Sequence, residues 1–221
     1  MDKRKISASM MCANFLDLRA DLDAMAEHGV DYLHIDVMDG HYVPNFTLGV
    51  DFCRAVASHS GIPLDVHLMI ENVDAYIPQF ARFPGATVCI HPEVPYHPIR
   101  SLQLIRSLGA RPGIALDPAL LPERFRYLLP EVELICIMTV NPGYSGQQLI
   151  PQTLDKIAET AAMIRREGQN IELEVDGNVS WENIPRMAAA GADVMVAGTS
   201  SLFDGKADLG ANIRRMRGLM A

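Results

Sequence analysis

The stretch LHIDVMDGHYVPN (residues 33–45) begins with the composition of a buried β-strand and ends with that of a ligand-binding loop. His34 and Asp36 are two residues apart, so their side chains share one face of the strand. Burying an imidazole and a carboxylate together costs free energy unless a partner contacts both groups. We therefore predict that a metal ion binds at the end of this strand.

Short apolar runs like this one alternate with longer amphipathic segments along the chain. The predicted strands are residues 5–9, 31–36, 63–69, 86–91, 111–117, 132–138, 171–176 and 192–197. Helical spacing of apolar residues lies between them, as at Leu154, Ile157 and Ala161. Strands that alternate with helices form parallel sheets through right-handed crossovers. The pattern therefore predicts an α/β protein.

Eight such units in 221 residues predict a closed (β/α)8 barrel, the TIM barrel. No shift in composition and no linker marks a second domain, so we expect one barrel domain over residues 1–221. An open doubly wound sheet is the alternative, but no GxGxxG motif opens the first helix. Glycines stand at the predicted helix-to-strand returns, where a left-handed residue is expected: Gly29, Gly61, Gly109, Gly168 and Gly191.

The acidic balance of the chain argues against two classes of partner. Asp and Glu number 27 against 19 Lys and Arg, for a net charge of −8. Nucleic acids and anionic membranes attract basic surfaces, so we expect neither as a partner. The chain has no apolar run near the ~20 residues that span a bilayer, and residues 1–11 lack the apolar segment of a signal peptide. We expect a cytoplasmic protein, in which the isolated Cys12, Cys53, Cys89 and Cys136 are small core residues.

Polar side chains gather at the C-terminal ends of the predicted strands, where barrels of this kind carry their active sites. The second strand ends in His34 and Asp36, the third in His67 and the seventh in Asp176. Two imidazoles and two carboxylates suit one divalent metal ion; zinc is preferred, and iron(II), manganese and cobalt tolerate the same set. Each residue alone could instead be a hydrogen-bonded core group, but their convergence favours a metal site.

Two further acids lie one layer deeper on the same strands. Asp65 precedes His67 by two residues and Glu174 precedes Asp176 by two. We predict that at least one of them hydrogen-bonds a metal-binding imidazole or supports a metal-binding carboxylate. Pairing with a basic residue is the alternative. His41 and His91 also lie near this end of the barrel, and the sequence leaves their roles open.

Glycine-rich turns follow the last two predicted strands, a common phosphate site in barrels. DGN (residues 176–178) and AGTSS (residues 197–201) place five residues there: Gly177, Asn178, Gly198, Thr199 and Ser200. Neither Lys nor Arg occurs in residues 167–185 or 187–205. A phosphate would therefore be held by backbone N–H groups, hydroxyls and a helix N-terminus.

Five segments resemble, in order, signature segments of the ribulose-phosphate 3-epimerase family. They are HIDVMDGHYVPNFTLG (34–49), LDVHLMIENVDAYI (64–77), MTVNPGYSGQQLIP (138–151), EVDGNV (174–179) and AGADVMVAGTSSLF (190–203). The resemblance implies a (β/α)8 barrel, commonly a homo-oligomer, that interconverts ketose phosphates differing at C3 with a bound divalent metal. It implies His34, Asp36, His67 and Asp176 as metal ligands, Asp36 and Asp176 as the acid/base pair, and Ser9 and His67 as substrate contacts.

The resemblance also implies a wall and a loop around the substrate. Met38, Met69 and Met138 would cover a flat intermediate without donating a proton, and simple core packing is the alternative. Residues 141–148, NPGYSGQQ, resemble the family's mobile loop, with Gly143 and Gly146 beside the substrate.

Epimerisation beside a ketone removes a proton from one face of the carbon and delivers one to the other. Two carboxylates can do this when one is charged and the other protonated, and a divalent ion would stabilise the enediolate. VNPG (residues 140–143) resembles the enzymes that convert D-ribulose 5-phosphate to D-xylulose 5-phosphate, which is the predicted reaction. MMC (residues 10–12), Asn178 in place of glycine and GTSSLF (residues 198–203) resemble the branch that converts D-allulose 6-phosphate to D-fructose 6-phosphate.

Two other functions are weighed against the epimerase. A decarboxylase of the orotidine-phosphate type relies on an Asp/Lys array at the strand ends, but the lysines lie elsewhere, at Lys3, Lys5, Lys156 and Lys206. A sugar-phosphate-binding barrel without catalysis would not need both Asp36 and Asp176.

Overall fold

Eight parallel strands close into a barrel in chain order in the computed structural model, which describes residues 4–221. The strands are β1 (Lys5–Ser9), β2 (Tyr32–Met38), β3 (Leu64–Met69), β4 (Thr87–Ile90), β5 (Arg111–Leu116), β6 (Leu134–Met138), β7 (Glu172–Asp176) and β8 (Val194–Ala197). Strand β1 pairs with both β2 and β8, which closes the sheet. The predicted (β/α)8 barrel is confirmed, with small shifts at the strand ends. Residues 1–3 of the expected 1–221 domain lie outside the described residues.

Helices surround the barrel on its outer side. They are α1 (Leu18–Glu27), α2 (Val50–His59), α3 (Val73–Phe80), α4 (Pro98–Ser107), α5 (Thr153–Arg166), α6 (Asn183–Ala190) and α7 (Leu209–Leu219). Between β5 and β6 the crossover is a 3₁₀ helix, Pro122–Glu131, instead of an α-helix. Proline supplies no backbone N–H, and Pro130 lies inside this segment. A second short 3₁₀ helix, Met10–Cys12, follows β1 directly.

The core lies on both faces of the barrel wall. All residues of β2, β3, β4, β6 and β8 are buried, as expected for a parallel sheet covered by helices. Helix α5 packs the predicted stripe of Ile157, Ala161 and Ile164 against this core. In the part of the chain that the structure describes, no helix is both long enough and apolar enough to cross a membrane.

The predicted glycine returns are present with one exception. Gly29, Gly109, Gly168 and Gly191 have φ of 72°, 93°, 63° and 112°, in the left-handed region that glycine enters at low cost. The prediction is wrong for Gly61. Helix α2 ends at His59, and Ser60 turns the chain with an extended backbone (φ −99°, ψ 144°), so no left-handed residue is needed.

The strand register carries the polar residues to one end of the barrel. His34 is paired with Asp65, Asp36 with His67, and Met38 with Met69 across β2 and β3. On the far side, Asp176 of β7 is paired with Met138 of β6. These pairings place the predicted site residues at the C-terminal ends of their strands, facing one another.

Candidate active site

Four side chains converge at the C-terminal end of the barrel. One ligand atom each from His34, Asp36, His67 and Asp176 lies within 4.8 Å of the others. His34 Nε2 is 3.2 Å from Asp36 Oδ1 and 3.9 Å from Asp176 Oδ2. His67 Nδ1 is 3.5 Å and 3.8 Å from the same two oxygens. The structure thus brings together the four residues that the sequence places at three separate strand ends.

The nitrogens that face this cluster lack a hydrogen-bond partner. His34 Nε2 and His67 Nδ1 are buried and make no hydrogen bond with any group of residues 4–221. A buried polar atom without a partner costs about 1–3 kcal/mol. An ion between the two nitrogens and the two carboxylates would remove this cost, and imidazole nitrogen with carboxylate oxygen is a donor set that zinc and related ions accept. The residues present therefore fit one divalent metal ion.

Asp65 holds His34 from the side opposite the cluster. Asp65 Oδ2 lies 2.6 Å from His34 Nδ1 and accepts a hydrogen bond of 2.8 Å from Ser7 Oγ. A carboxylate on one ring nitrogen orients the imidazole and leaves the other nitrogen free for a metal. The prediction that a deeper acid hydrogen-bonds a clustered imidazole is confirmed for Asp65.

Glu174 is fully buried beside Asp65, with no hydrogen-bond partner for either carboxylate oxygen among the described residues. Burial raises the pKa of Glu174 well above its usual value, and the neighbouring Asp65 carboxylate adds to this rise. The raised pKa favours the neutral form of Glu174, which lowers the cost of burying a second carboxyl group below the cluster.

The two clustered carboxylates have unequal proton affinities in the metal-free protein. Burial raises the pKa of Asp176 to about 7. Burial also disfavours the charged form of Asp36, but the neighbouring His34 and His67 hold the pKa of Asp36 below its usual range. Asp36 is therefore charged at neutral pH, while Asp176 is about half protonated. This inequality is the one that a proton donor and a proton acceptor on two faces of a substrate require.

Metal binding should release protons and weaken as the pH falls. Asp176, with a pKa of about 7, must lose its proton to bind a cation. Burial lowers the pKa of His34, but the Asp65 and Asp36 carboxylates raise it well above its usual value, which adds to the competition between protons and the metal ion. The apparent zinc affinity should fall at least about tenfold per unit from about pH 7 to about pH 5.5. Calorimetric titration in buffers of different ionisation enthalpy measures the protons released; a constant affinity over this range would contradict the prediction.

A pocket lies above the cluster at the strand ends. It is lined by Ser9, Asp36, Met38, Met69, Met138, Gly143, Gly146, Asp176, Gly177, Asn178, Gly198, Thr199 and Ser200, all of which the sequence places at the site. His34 and His67 are fully buried beneath it. Ser9 Oγ donates a hydrogen bond of 3.3 Å to Asp36 Oδ2, so this hydroxyl lies between the pocket and the cluster.

Ten lining residues were not named as individual site residues, although residues 141–148 were predicted as a loop beside the substrate and residues 10–12 as a marker of substrate identity. They are Met11, Cys12, Val140, Asn141, Pro142, Tyr144, Ser145, Gln147, Val179 and Val196. Cys53, Cys89 and Cys136 are buried as expected, but the core assignment is wrong for Cys12, which is half-buried. The 3₁₀ helix after β1 turns Cys12 toward the pocket, and its position three residues after Ser9 is the signal that could have located it.

The methionines form a wall of the pocket and pack into the core as well. Met38 and Met69 pack with Val43, and Met11 and Tyr42 lie against them. Met138 packs with Cys89 and Cys136 inside the barrel. All three predicted methionines are almost fully buried and still line the pocket. The two interpretations considered for them are therefore compatible.

The turn after β7 depends on a glycine at position 177. Thr139 fixes the end of β7, since its N–H and its Oγ1 donate hydrogen bonds of 2.7 Å and 2.9 Å to the Asp176 carbonyl. Gly177 then has a φ of 115°, and a Cβ there would lie 2.5 Å from Val140 Cγ2 and 2.9 Å from Val140 N. Only glycine fits this close approach.

Gly177→Ala should destabilise the protein by about 2–4 kcal/mol, because it adds backbone strain to a steric clash. Gly168→Ala is the matched control, since Gly168 also has a positive φ (63°) but a Cβ there would meet no atom within 4 Å. Urea unfolding measures both free energies. Equal losses for the two variants would contradict the role of the close approach to Val140.

Asn178 connects three loops around the pocket. It has a φ of 45°, in the left-handed region that asparagine tolerates. Its Oδ1 accepts a hydrogen bond of 3.3 Å from the Leu149 N–H, and its Nδ2 donates one of 3.3 Å to Ser200 Oγ. The side chain thus joins the segment after residues 141–148 to the turns after β7 and β8, a link that glycine could not make.

Residues 141–148 form part of the rim of the pocket and contact the loop after β2. Gly143 and Gly146 have φ of 123° and 83°. Asn45 Nδ2 donates a hydrogen bond of 2.9 Å to the Gly143 carbonyl, and Gln147 Nε2 donates one of 2.6 Å to the Asn141 carbonyl. These contacts hold the loop across the mouth of the pocket; movement of this loop stays a prediction.

Comparison with known proteins identifies relatives over almost the whole barrel. Residues 5–203 match the ribulose-phosphate 3 epimerase family model. The chain is 42% identical over 202 residues to the ribulose-phosphate 3-epimerase of Helicobacter pylori (strain J99), covering 91% of this chain and 92% of that protein. It is 42% identical over 206 residues to that of Escherichia coli (strain K12), covering 92% and 91%. For that of Methanocaldococcus jannaschii the identity is 39% over 213 residues, covering 96% and 89%.

Solved structures share the barrel at low sequence identity. The 3-hexulose-6-phosphate synthase of Salmonella typhimurium superposes with a TM-score of 0.70 at 15% identity, covering 98% of each chain. The orotidine 5'-phosphate decarboxylase of Pyrococcus horikoshii gives 0.69 at 12% identity, covering 97% of this chain and 98% of that one. These similarities concern the fold alone. The curated relatives confirm the predicted isomerase class. Because the family match extends across all eight strands, the chain belongs to the ribulose-phosphate 3-epimerase family.

Proposed function

We propose that this epimerase interconverts D-ribulose 5-phosphate and D-xylulose 5-phosphate with one divalent metal ion. Family membership supports sugar-phosphate 3-epimerase activity, and the named function of the relatives supports the pentose phosphate. The observation that carries the proposal is the convergence of Asp36 and Asp176 from the ends of β2 and β7, with two imidazoles between them. Zinc is the ion that we propose, on the basis of this mixed ligand set.

In the proposed reaction the two carboxylates act on opposite faces of C3. The charged one removes the C3 proton and the protonated one delivers a proton to the other face, so each ends in the state from which the other began. In the metal-free protein the pKa of Asp36 lies below its usual range and the pKa of Asp176 is raised to about 7, and this unequal environment supports the pair as one base and one acid. Positioned acid–base groups contribute about 10²–10⁴-fold to a rate. A bound divalent ion would supply stabilisation of the negative charge on the enediolate oxygens.

The remaining pocket residues are assigned to binding. No Lys or Arg of residues 4–221 lines the pocket, so the phosphate would rest on the N–H groups and hydroxyls of Gly177, Asn178, Gly198, Thr199 and Ser200. These donors are neutral, so they leave no unpaired positive charge in the pocket after the phosphate product has left. A Lys or Arg at the same place would leave one. Ser9 would contact the sugar, whereas His67, which was also expected to contact it, is fully buried beneath the pocket and would act through the metal instead. Met38, Met69 and Met138 offer no acidic proton, so a planar anion beside them is not quenched at the wrong atom.

Solvent exchange tests the reaction and the substrate together. The zinc-loaded protein is incubated in heavy water with D-ribulose 5-phosphate or with D-allulose 6-phosphate, and deuterium at C3 is measured by NMR. We expect deuterium at C3 of the pentulose phosphate and a kcat/KM for it that exceeds that for the hexulose phosphate. The reverse ranking would favour the allulose branch, whose sequence features include Asn178 and Cys12. If neither substrate exchanged, the epimerase assignment would be refuted. The remaining interpretation would be a barrel that binds sugar phosphates without catalysis.

Three expectations from the sequence stay predictions. They are the association of the chain into a homo-oligomer, its cytoplasmic location, and zinc in preference to iron(II), manganese or cobalt.

A further inference from the structure

His91 lies behind the cluster, on the side of His67 that faces away from the carboxylates. It follows β4 directly and is fully buried. His91 Nε2 is 2.9 Å from His67 Nε2, and the two rings stack with centroids 5.1 Å apart. The Nδ1 atom of His67 therefore faces the cluster, and its Nε2 atom contacts a second histidine. The corresponding outer partner of His34 is a carboxylate, that of Asp65.

The contacts of His91 define the direction of this hydrogen bond. His67 Nδ1 needs its lone pair to bind a cation, so the proton of the neutral ring lies on Nε2. That proton is donated to His91 Nε2, which leaves the His91 proton on Nδ1. His91 Nδ1 makes no hydrogen bond in the described structure, and Glu93 Oε1 lies 3.4 Å from it. A carboxylate beside this nitrogen favours the tautomer that carries the proton there.

Glu93 is itself held in place from the loop after β2. Tyr42 OH donates a hydrogen bond of 2.9 Å to Glu93 Oε1, and the Tyr42 ring lies 4.7 Å from the His91 ring. Tyr42 also packs against the Met38 and Met69 wall of the pocket. The Glu93 carboxylate, 3.4 Å from His91 Nδ1, is therefore anchored to the pocket wall through Tyr42 and lies on the side of His91 away from His67.

We propose that His91 is a positioning residue for the metal centre, which accepts the His67 Nε2 proton, with Glu93 as the group that holds His91 in the accepting tautomer. This inference rests on the proposed metal centre. It explains why His91, which is buried and does not line the pocket, lies between the His67 imidazole and the Glu93 carboxylate. Outer partners of metal-binding histidines typically change metal affinity 10- to 100-fold when they are removed.

Metal affinity of full-length variants tests the proposal. His91→Phe keeps a ring but removes the acceptor, and His91→Gln restores an acceptor on a similar side chain. His59→Phe is the matched control, because His59 Nε2 also lies 2.7 Å from a carboxylate oxygen, that of Asp23, far from the cluster. Zinc Kd is measured by chelator competition, and the visible spectrum of the cobalt form reports the ligand field. We expect His91→Phe to weaken zinc binding about 10- to 100-fold and shift the cobalt spectrum, with partial recovery in His91→Gln.

The possible outcomes separate this inference from the proposed centre. If the unaltered protein binds no stoichiometric zinc, the metal centre itself is refuted. If it binds zinc and His91→Phe matches His59→Phe in Kd and cobalt spectrum, the positioning role is refuted while the centre stands. Should His91→Phe fail to fold, Glu93→Leu decides, since Glu93 is partly exposed and its loss removes only the outer acceptor. A zinc Kd for Glu93→Leu equal to that of the control overturns the proposal, and about a tenfold increase supports it.

Discussion

Asp36→Asn and Asp176→Asn should each lower kcat for epimerisation by at least about 10³-fold and should abolish deuterium exchange at C3. Each variant removes one of the two groups that act on opposite faces of the carbon, and asparagine neither accepts nor donates the transferred proton. The measurement is turnover together with NMR of C3 in heavy water, and both rates are divided by the metal content of each preparation. This normalisation separates lost proton transfer from lost metal, because both residues also lie in the cluster.

Asp51→Asn is the control for this pair of variants. Asp51 lies at the start of α2, its side chain is 88% exposed, and it pairs only with Arg54 on the same helix. It should retain full activity, because exposed ion pairs contribute little. Near-normal exchange in both metal-loaded active-site variants would refute the two-carboxylate scheme while leaving the metal site intact.

Removal of the metal is expected to have the second large effect. Chelation followed by buffer exchange should lower kcat by about 10²–10³-fold, because the charge stabilisation of a divalent ion on the enediolate corresponds to several kcal/mol. Adding back zinc, iron(II), manganese or cobalt should restore turnover to different extents, since all of them accept this ligand set. The measurement is kcat against bound metal, determined by elemental analysis.

Circular dichroism before and after chelation is the accompanying control. The barrel has an extensive core of buried apolar residues that does not depend on an ion, so the metal-free protein should keep its secondary structure. Full activity in protein that is free of metal would show that the ion has no catalytic role, whatever its affinity.

The convergence of the site followed from local properties of the chain. Alternation along a strand places His34 and Asp36 on one face and Asp65 on the face of His67, and the ends of parallel strands in a barrel meet at one rim. The same argument indicated that a deeper acid would hold a clustered imidazole, as Asp65 does. The turns proposed to bind phosphate follow β7 and β8 and line the pocket, as their order in the sequence indicated.

Such local arguments could not predict contacts between side chains from distant parts of the chain. His91 follows a strand in the same way as other polar residues, and its distance from His67 depends on how β3 and β4 twist and pack. Cys12 reaches the pocket because a 3₁₀ helix forms after β1, and Asn178 bridges three loops that are far apart in sequence. For Gly61 the local argument predicted a left-handed turn that the structure does not need, because α2 is followed by an extended residue, Ser60.

Hydrophobic periodicity, glycine positions and strand parity determined the barrel, the rim on which the polar groups lie and the identity of the four clustered residues. These are short-range properties, set by backbone geometry within each strand or turn. Tertiary packing alone decided the unequal pKa values of Asp36 and Asp176, the raised pKa of Glu174 and the contact between His67 and His91. Burial and the distances between charges set those features, and both come into existence only when the strands close around one another.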